Sequence, residues 1–276
     1  MSGSGSRLGG MAMESLSLAG LRALVTGAGT GIGKQIALGF AEAGADLVFV
    51  GRRLEPLESV AAQARDKYGV SVQCIAADIT SSEDCDRLGS EAGKIDILCN
   101  NAGASIYGKW QSISMEDWRQ VFAVNVEGPW RLCQIFAPKM AERGFGRIIN
   151  IGSVYGIQGG NPALYPGMDW DIAPYFVSKH AVHGIAHYLA PWLAKSGVTV
   201  NTLHPGGFAG SEMNEKAMSE RASGLSEMEQ RFNAAVPMGR IGGADDIKAA
   251  AVFMASPGSK YMTGQEVVVD GGWSAW

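Results

Sequence analysis

The sequence predicts an α/β protein built on one doubly wound parallel sheet, and three observations carry that expectation. Seven short apolar runs recur along the chain, separated by amphipathic stretches of helical length, the alternation that builds a parallel sheet covered on both faces. The runs are continuously apolar rather than alternating, as strands buried on both sides must be. A glycine-rich loop stands between the first run and the first helical stretch, where such folds place backbone N–H groups and a positive helix end.

The elements follow in order. Leu21–Thr26 is the first expected strand and leads into TGAGTGIG; the helix after it covers Lys34–Ala43 and stops at Gly44. Strands are expected at Asp46–Val50, Val72–Ala76, Ile95–Cys99, Arg147–Ile151, Val198–Leu203 and Glu266–Val269. Helices are expected at Leu54–Tyr68, Ser82–Ala92, Met115–Arg143, Tyr175–Lys195 and Asp245–Ala255. Apart from this alternation there is no internal repeat and no linker, so residues 16–276 read as a single domain; α/β folds of this length are routinely one unit. Residues 1–15, Gly/Ser-rich and without periodicity, read as a disordered leader or a cloning remnant that lacks the apolar centre of a signal peptide.

Composition narrows the function. With 46% hydrophobic and 18% charged residues the chain can bury a large core, and a net charge of −4 with no basic run argues against a nucleic-acid partner. No apolar stretch reaches the roughly 18 residues of a membrane span. Cys74, Cys85, Cys99 and Cys133 show no CxxC spacing, which fits buried reduced thiols in a cytoplasmic protein better than disulfides or zinc.

The chemistry concentrates around the fifth run. Ser153 ends it, and Tyr175 and Lys179 follow four residues apart in a helical segment, so phenol and ammonium share one helix face. A nearby ammonium is expected to lower the tyrosine pKa from about 10, which would make Tyr175 a general acid/base while Ser153 holds a substrate oxygen. The glycine loop does not fit G-x-G-x-x-G; its spacing is T-G-x-x-x-G-x-G. At the end of the second strand, where an acidic residue would accept from a ribose 2′-OH, the chain has Gly51 followed by Arg52 and Arg53, suited to a 2′-phosphate. NADP is therefore expected over NAD.

Taken together, TGAGTGIG at Thr26–Gly33, NNAG at Asn100–Gly103, Asn125, Ser153 and Tyr175-Phe-Val-Ser-Lys179 resemble the short-chain dehydrogenase/reductase family, in its compact single-domain subgroup with a Rossmann-type sheet. The resemblance spans about residues 18–272. It implies an NAD(P)-dependent oxidoreductase that forms homodimers or homotetramers through the long helices. It also implies that Gly27, Thr30, Gly31, Ile32 and Gly33 admit the cofactor phosphates, that Asp78 meets the adenine with Ile79 beside it, and that Asn101, Ala102 and Gly103 flank the cofactor. Asn125 would hold a water of the proton relay. Ser153 would bind the reacting oxygen, Tyr175 exchange the proton, and Lys179 also bind the nicotinamide ribose. Pro205-Gly206 would lie beside the nicotinamide, and Ser211 near the cofactor amide, although its register is off by one.

One departure bears on the substrate. Ser153 and Tyr175 are 22 residues apart, where family members have about a dozen, so a segment is inserted within GNPALYPGMDWD. The segment Gly159–Pro174 is expected at the mouth of the site, with Asn161, Tyr165, Asp169, Trp170 and Asp171 offering polar and aromatic groups, and with Tyr155 nearby. Phe208, Met213 and Met218 would close the other side. These groups suit a small polyol, sugar or sugar acid oxidised or reduced at a secondary carbon; a 3-oxoacyl thioester of acyl carrier protein is the alternative, and a bulky cyclic ketone comes third. A catalytically silent cofactor-binding protein is a rival class, opposed by the filled Asn125-Ser153-Tyr175-Lys179 set. A nucleotide-sugar epimerase would carry TGxxGxxG. His183 and His187 form an i, i+4 pair on a helix with His180, but without a carboxylate motif beside them they read as helix surface or subunit contact, and no metal site is expected. Trp110, Trp118 and Trp130 read as core or interface residues.

Overall fold

In the computed structural model, which describes residues 14–162, 171–209 and 227–275, all seven apolar runs form strands of one parallel sheet in the order β3-β2-β1-β4-β5-β6-β7. The strands are β1 Arg22–Thr26, β2 Asp46–Gly51, β3 Val72–Ala76, β4 Ile97–Asn100, β5 Gly146–Ile151, β6 Val198–Pro205 and β7 Glu266–Val269. Every residue of β5 and β6 is buried, including the polar Arg147, Asn150, Thr199, Asn201, Thr202 and His204. The order reverses between β1 and β4, so a crevice opens at the carboxyl ends of these two strands, where open α/β sheets bind ligands.

Helices cover both faces. Those expected are α1 Gly31–Glu42, α2 Leu54–Tyr68, α3 Ser82–Glu91, α4 Met115–Phe122, α5 Gly128–Glu142 and α6 Ala173–Leu193. They are followed by α7 Glu227–Ala235 and α8 Lys248–Ala255. Ile36 and Phe40 of α1, Leu57 of α2 and Met254 of α8 build the core on one face of the sheet. Leu88 of α3, Phe136 and Met140 of α5 and Ile185 of α6 build the core on the other.

Three elements differ from the sequence expectation. The helix expected over Met115–Arg143 is interrupted by a π-helical turn at Ala123–Glu127. Pro129 has no N–H to donate to the Asn125 carbonyl four residues back. Gly128 fits tightly against Ile79, whose Cδ1 would lie 2.8 Å from an added Cβ. Helix α7 was not anticipated, because its polar sequence has no clear apolar period. Residues 1–13 of the expected leader lie outside the described residues, but residues 14–16 already form a helical turn, and Leu18 is fully buried in the first core.

Candidate active site

The glycine loop is shaped by close approaches. Gly27 and Gly31 have φ of 68° and 55°, a left-handed conformation that favours glycine. A Cβ on Gly33 would lie 2.2 Å from both the Gly27 carbonyl and Asn101 Nδ2. The loop is also tied to the turn after β4. Thr26 Oγ1 accepts from the backbone N–H groups of Asn101 and Ala102, both at 3.0 Å. Asn101 Nδ2 donates back to the Thr26 carbonyl at 2.9 Å. The TG and NNAG motifs therefore form one interlocked floor across the β1–β4 crevice.

Behind that floor, Asn100 Nδ2 donates to Asn150 Oδ1 at 2.9 Å, joining β4 to β5. Asn125, 1% exposed, is held inward by the π turn. Its Oδ1 accepts from the Ala104 N–H at 2.7 Å, and its Nδ2 donates to the Ala104 carbonyl at 3.0 Å and to Ser178 Oγ at 2.8 Å. The Asn125 side chain thus links the segment after NNAG to α6 and does not itself line the cleft.

Ser153 caps the short turn after β5, its Oγ accepting from the Tyr155 N–H at 3.1 Å. Tyr175 is half-buried in the first turns of α6. Lys179, one turn on and 4% exposed, donates from Nζ to the Ile151 carbonyl at 2.7 Å, and Nζ sits 5.5 Å from the Tyr175 ring centroid. This overturns one expectation. Burial pushes the Tyr175 phenol up to about 12, with a hydrogen bond from Ser153 pulling the other way. The Lys179 ammonium is instead engaged by the Ile151 carbonyl and sits over the ring, 5.5 Å from its centroid. Burial in turn lowers Lys179 to about 8.

These groups open onto one cleft of about 1350 Å³, larger than the roughly 300–1,000 Å³ that suits a single small ligand and fitting for a dinucleotide with a substrate beside it. Its lining includes Gly27, Thr30, Gly31, Ile32 and Gly33 at one end, and Arg52, Asp78 and Ile79 beside them. Asn101, Ala102 and Gly103 lie along the floor, with Ser153, Tyr155, Tyr175 and Lys179 at the centre and Pro205, Gly206 and Phe208 beyond. Asp78 is shaped by its own turn: its Oδ1 accepts from the Thr80 N–H and hydroxyl at 2.9 and 2.8 Å. Arg53 does not line the cleft; it is exposed at the N-cap of α2. Phe208, expected to close the other side of the site, is 4% exposed and held by bridge pairing to Gly242.

The inserted segment reaches the cleft at both described ends, through Gly160, Asn161 and Pro162 on one side and Asp171 and Ile172 on the other. Asp171 is committed to backbone: Oδ1 accepts from the Ala173 N–H at 3.1 Å and Oδ2 from the Trp110 N–H at 3.0 Å. Tyr165, Asp169, Trp170, Ser211, Met213 and Met218 lie outside the described residues. Sequence reasoning missed Tyr107, Gln120, Phe232 and Trp273, which also line the cleft. Phe232 stacks on Trp273 at 5.1 Å between ring centroids. The pair comes from two elements far apart in the chain, so no local spacing betrays it. Trp110, expected in core or interface, is 68% exposed at the cleft rim.

The fold and the site define a dinucleotide-dependent oxidoreductase, and comparison with known proteins agrees. A family model described as Enoyl-(Acyl carrier protein) reductase matches residues 27–274. Galactitol 2-dehydrogenase (L-tagatose-forming) of Cereibacter sphaeroides is 37% identical over 94% of this chain and 97% of its own length. A 3-oxoacyl-[acyl-carrier-protein] reductase of Rickettsia bellii is 33% identical over 93% of this chain and 98% of its own. Among solved structures, a gluconate 5-dehydrogenase from Burkholderia cenocepacia in complex with NADP and tartrate superposes with a TM-score of 0.84 at 32% identity, covering 96% of this chain and 99% of that one. The chain belongs to the short-chain dehydrogenase/reductase family and is an NAD(P)-dependent oxidoreductase.

Proposed function

We propose that this protein uses NADP to interconvert a secondary alcohol and a ketone on a small polyol, sugar or sugar acid. The observation that carries the reaction is the convergence of Ser153, Tyr175 and Lys179 at the centre of a cleft whose far end is the glycine loop with Arg52. The substrate class is supported by the similarity to a galactitol dehydrogenase and a gluconate 5-dehydrogenase and by polar groups such as Asn161 at the rim.

The glycines leave room for the cofactor phosphates, since a Cβ on Gly33 would strike the floor, and Arg52 is placed to meet a 2′-phosphate. When bound, the nicotinamide accepts or supplies the hydride. In this reading the residues of the chain do the rest. Ser153 Oγ donates to the substrate oxygen, and Tyr175 takes its proton in oxidation or returns it in reduction. Lys179 would hold a positive charge against the Tyr175 ring and bind the nicotinamide ribose. Asn125 secures the segment after NNAG against α6, and it would hold a relay water.

A panel of polyols, sugar acids, 3-oxoacyl thioesters and cyclic ketones, followed by nicotinamide absorbance with both cofactors, tests the substrate. Turnover of a polyol, sugar or sugar acid with NADP is expected. Efficient reduction of 3-oxoacyl thioesters with none of the polyols or sugar acids turned over would transfer the protein to the acyl-carrier-protein reductases. Separately, Arg52→Ala should cut the preference for NADP over NAD at least about tenfold, because a hydrogen bond to a charged group contributes roughly 1.5–3 kcal/mol. Arg53→Ala should change it little, and equal effects of the two would reject the assignment of Arg52.

The same reading includes a homo-oligomer in the cytoplasm. The α5–α6 surface leaves Trp192 71% and Tyr188 58% exposed beside an apolar groove between Trp130, Ala137 and Leu189, a patch that supports pairing with a second copy. All four cysteines are free thiols, and among the described residues no helix is long and apolar enough to cross a membrane.

A further inference from the structure

The chain has only four histidines, and the fold gathers three of them around one carboxylate on the side of β6 and β7 that faces α6. Glu266, the first residue of β7, places Oε1 3.5 Å from His183 Nδ1 and 3.5 Å from His187 Nε2, while its Oε2 lies 3.4 Å from Nε2 of His204 on β6. The ligating atoms of His183, His204 and Glu266 all fall within 4.8 Å of one another. None of these residues lines the cleft.

Two features set this cluster apart from a solvated polar patch. His204 is fully buried, and both His204 Nε2 and His183 Nδ1 are buried without a hydrogen-bond partner among the described residues, a rare and costly condition. On its other side, His204 Nδ1 lies 2.8 Å from the Ser153 carbonyl and 3.2 Å from the Ser153 N–H. With the shorter contact donated to the carbonyl, Nε2 presents a lone pair to the carboxylate, and a cation between the two, a metal ion or a second ring proton, satisfies both. A ring N–H given to a backbone carbonyl is also the usual outer-shell partner of a metal-ligating histidine. The two histidine-to-carboxylate distances of 3.5 and 3.4 Å match the ligand-to-ligand edge of about 3.3–3.4 Å that bonds of about 2.0–2.1 Å give in a tetrahedron.

We propose that His183, His204 and Glu266 bind one divalent transition-metal ion, with water in the remaining position, Zn²⁺ being the best match to imidazole and carboxylate donors. The sequence concealed the site because the i, i+4 histidine pair has no carboxylate near it in the chain; pairing of β7 with β6 supplies both Glu266 and His204. The ion would fasten α6, which carries Tyr175 and Lys179, to the sheet edge and, through His204, to the backbone of Ser153. It is a positioning site, remote from the reacting atoms.

The test is to strip the purified full-length protein with a chelator, reload it with Zn²⁺, desalt it, and measure retained metal by mass spectrometry alongside thermal unfolding with and without Zn²⁺. One equivalent of zinc per chain is expected, with an unfolding temperature that rises with Zn²⁺ concentration, as for any ligand of the native state. Glu266→Gln and His183→Asn should each lower retained zinc more than about tenfold, the low end of the loss seen even for outer-shell partners. Both residues are partly exposed, so these variants keep the test valid if His204→Asn fails to fold. His180→Ala, on the same helix but outside the ligand set, should retain the metal. A wild-type protein that holds no zinc, as a protonated His204 paired with Glu266 would produce, overturns the proposal. So does equal retention by wild type, Glu266→Gln and His183→Asn.

Discussion

Replacing Tyr175 with Phe is expected to lower kcat by about 10²–10⁴-fold, the usual contribution of a positioned general acid/base, while fold and cofactor affinity stay near wild type. The substitution removes one oxygen. The ring keeps its place at the start of α6, Lys179 keeps its bond to the Ile151 carbonyl, and Ser153 Oγ keeps the Tyr155 N–H as a donor. What is lost is the transferable proton. Steady-state kinetics on the purified variant, paired with a cofactor-binding titration, separates loss of chemistry from loss of binding. Turnover within a few-fold of wild type would show that another group moves the proton.

Replacing Lys179 with Met should cost most of the activity and yet make the cofactor-free protein more stable at neutral pH. Burial lowers the lysine from its ordinary value of 10.5 to about 8, so the folded state holds this proton less tightly than the unfolded chain does. Between those two values the unfolded chain binds more protons, and wild-type stability therefore rises with pH across that window. Below it the full penalty stands: 10.5 − 8 is 2.5 units, or about 3 kcal/mol at roughly 1.4 kcal/mol per unit. Lys179 is 4% exposed, so solvent screening takes little from that figure. Losing the bond to the Ile151 carbonyl gives back about 1 kcal/mol, while methionine keeps most of the apolar stem. A net gain of about 2 kcal/mol at pH 7 is expected, a rise of several degrees in Tm, shrinking as the pH approaches 10.5. Thermal unfolding at pH 7 and pH 10 checks both the sign and the trend. A variant less stable than wild type at pH 7 would mean that the ammonium is structurally favourable where it sits.

Much of the architecture was legible because it is written in near neighbours along the chain. Short, largely apolar runs marked all seven strands within about two residues, since strands covered on both faces are rich in apolar residues. The glycine loop announced itself because a turn with left-handed φ at Gly27 and Gly31 tolerates little else. The Tyr175–Lys179 pair was visible as a helical i, i+4 spacing. The break in the long central helix also had a local signal, in Gly128-Pro129, although periodicity alone ran straight through it.

What only the tertiary structure decided depends on residues that chain distance hides. Parallel pairing of β1 with β4 brought Thr26 to Asn101 and joined two motifs into one floor. Packing of α7 against the C-terminal segment set Phe232 on Trp273 at the cleft wall. The bend from β2 into α2 kept Arg52 in the cleft and left Arg53 outside it. Burial reversed the expected direction of the Tyr175 shift, because desolvation depends on everything packed around a group and not on the one charge four residues away. The pairing of β6 with β7 under α6 assembled His183, His204 and Glu266 from three elements. Local periodicity could settle which segments are strands and helices; which side chains meet was settled by the order and register of the sheet.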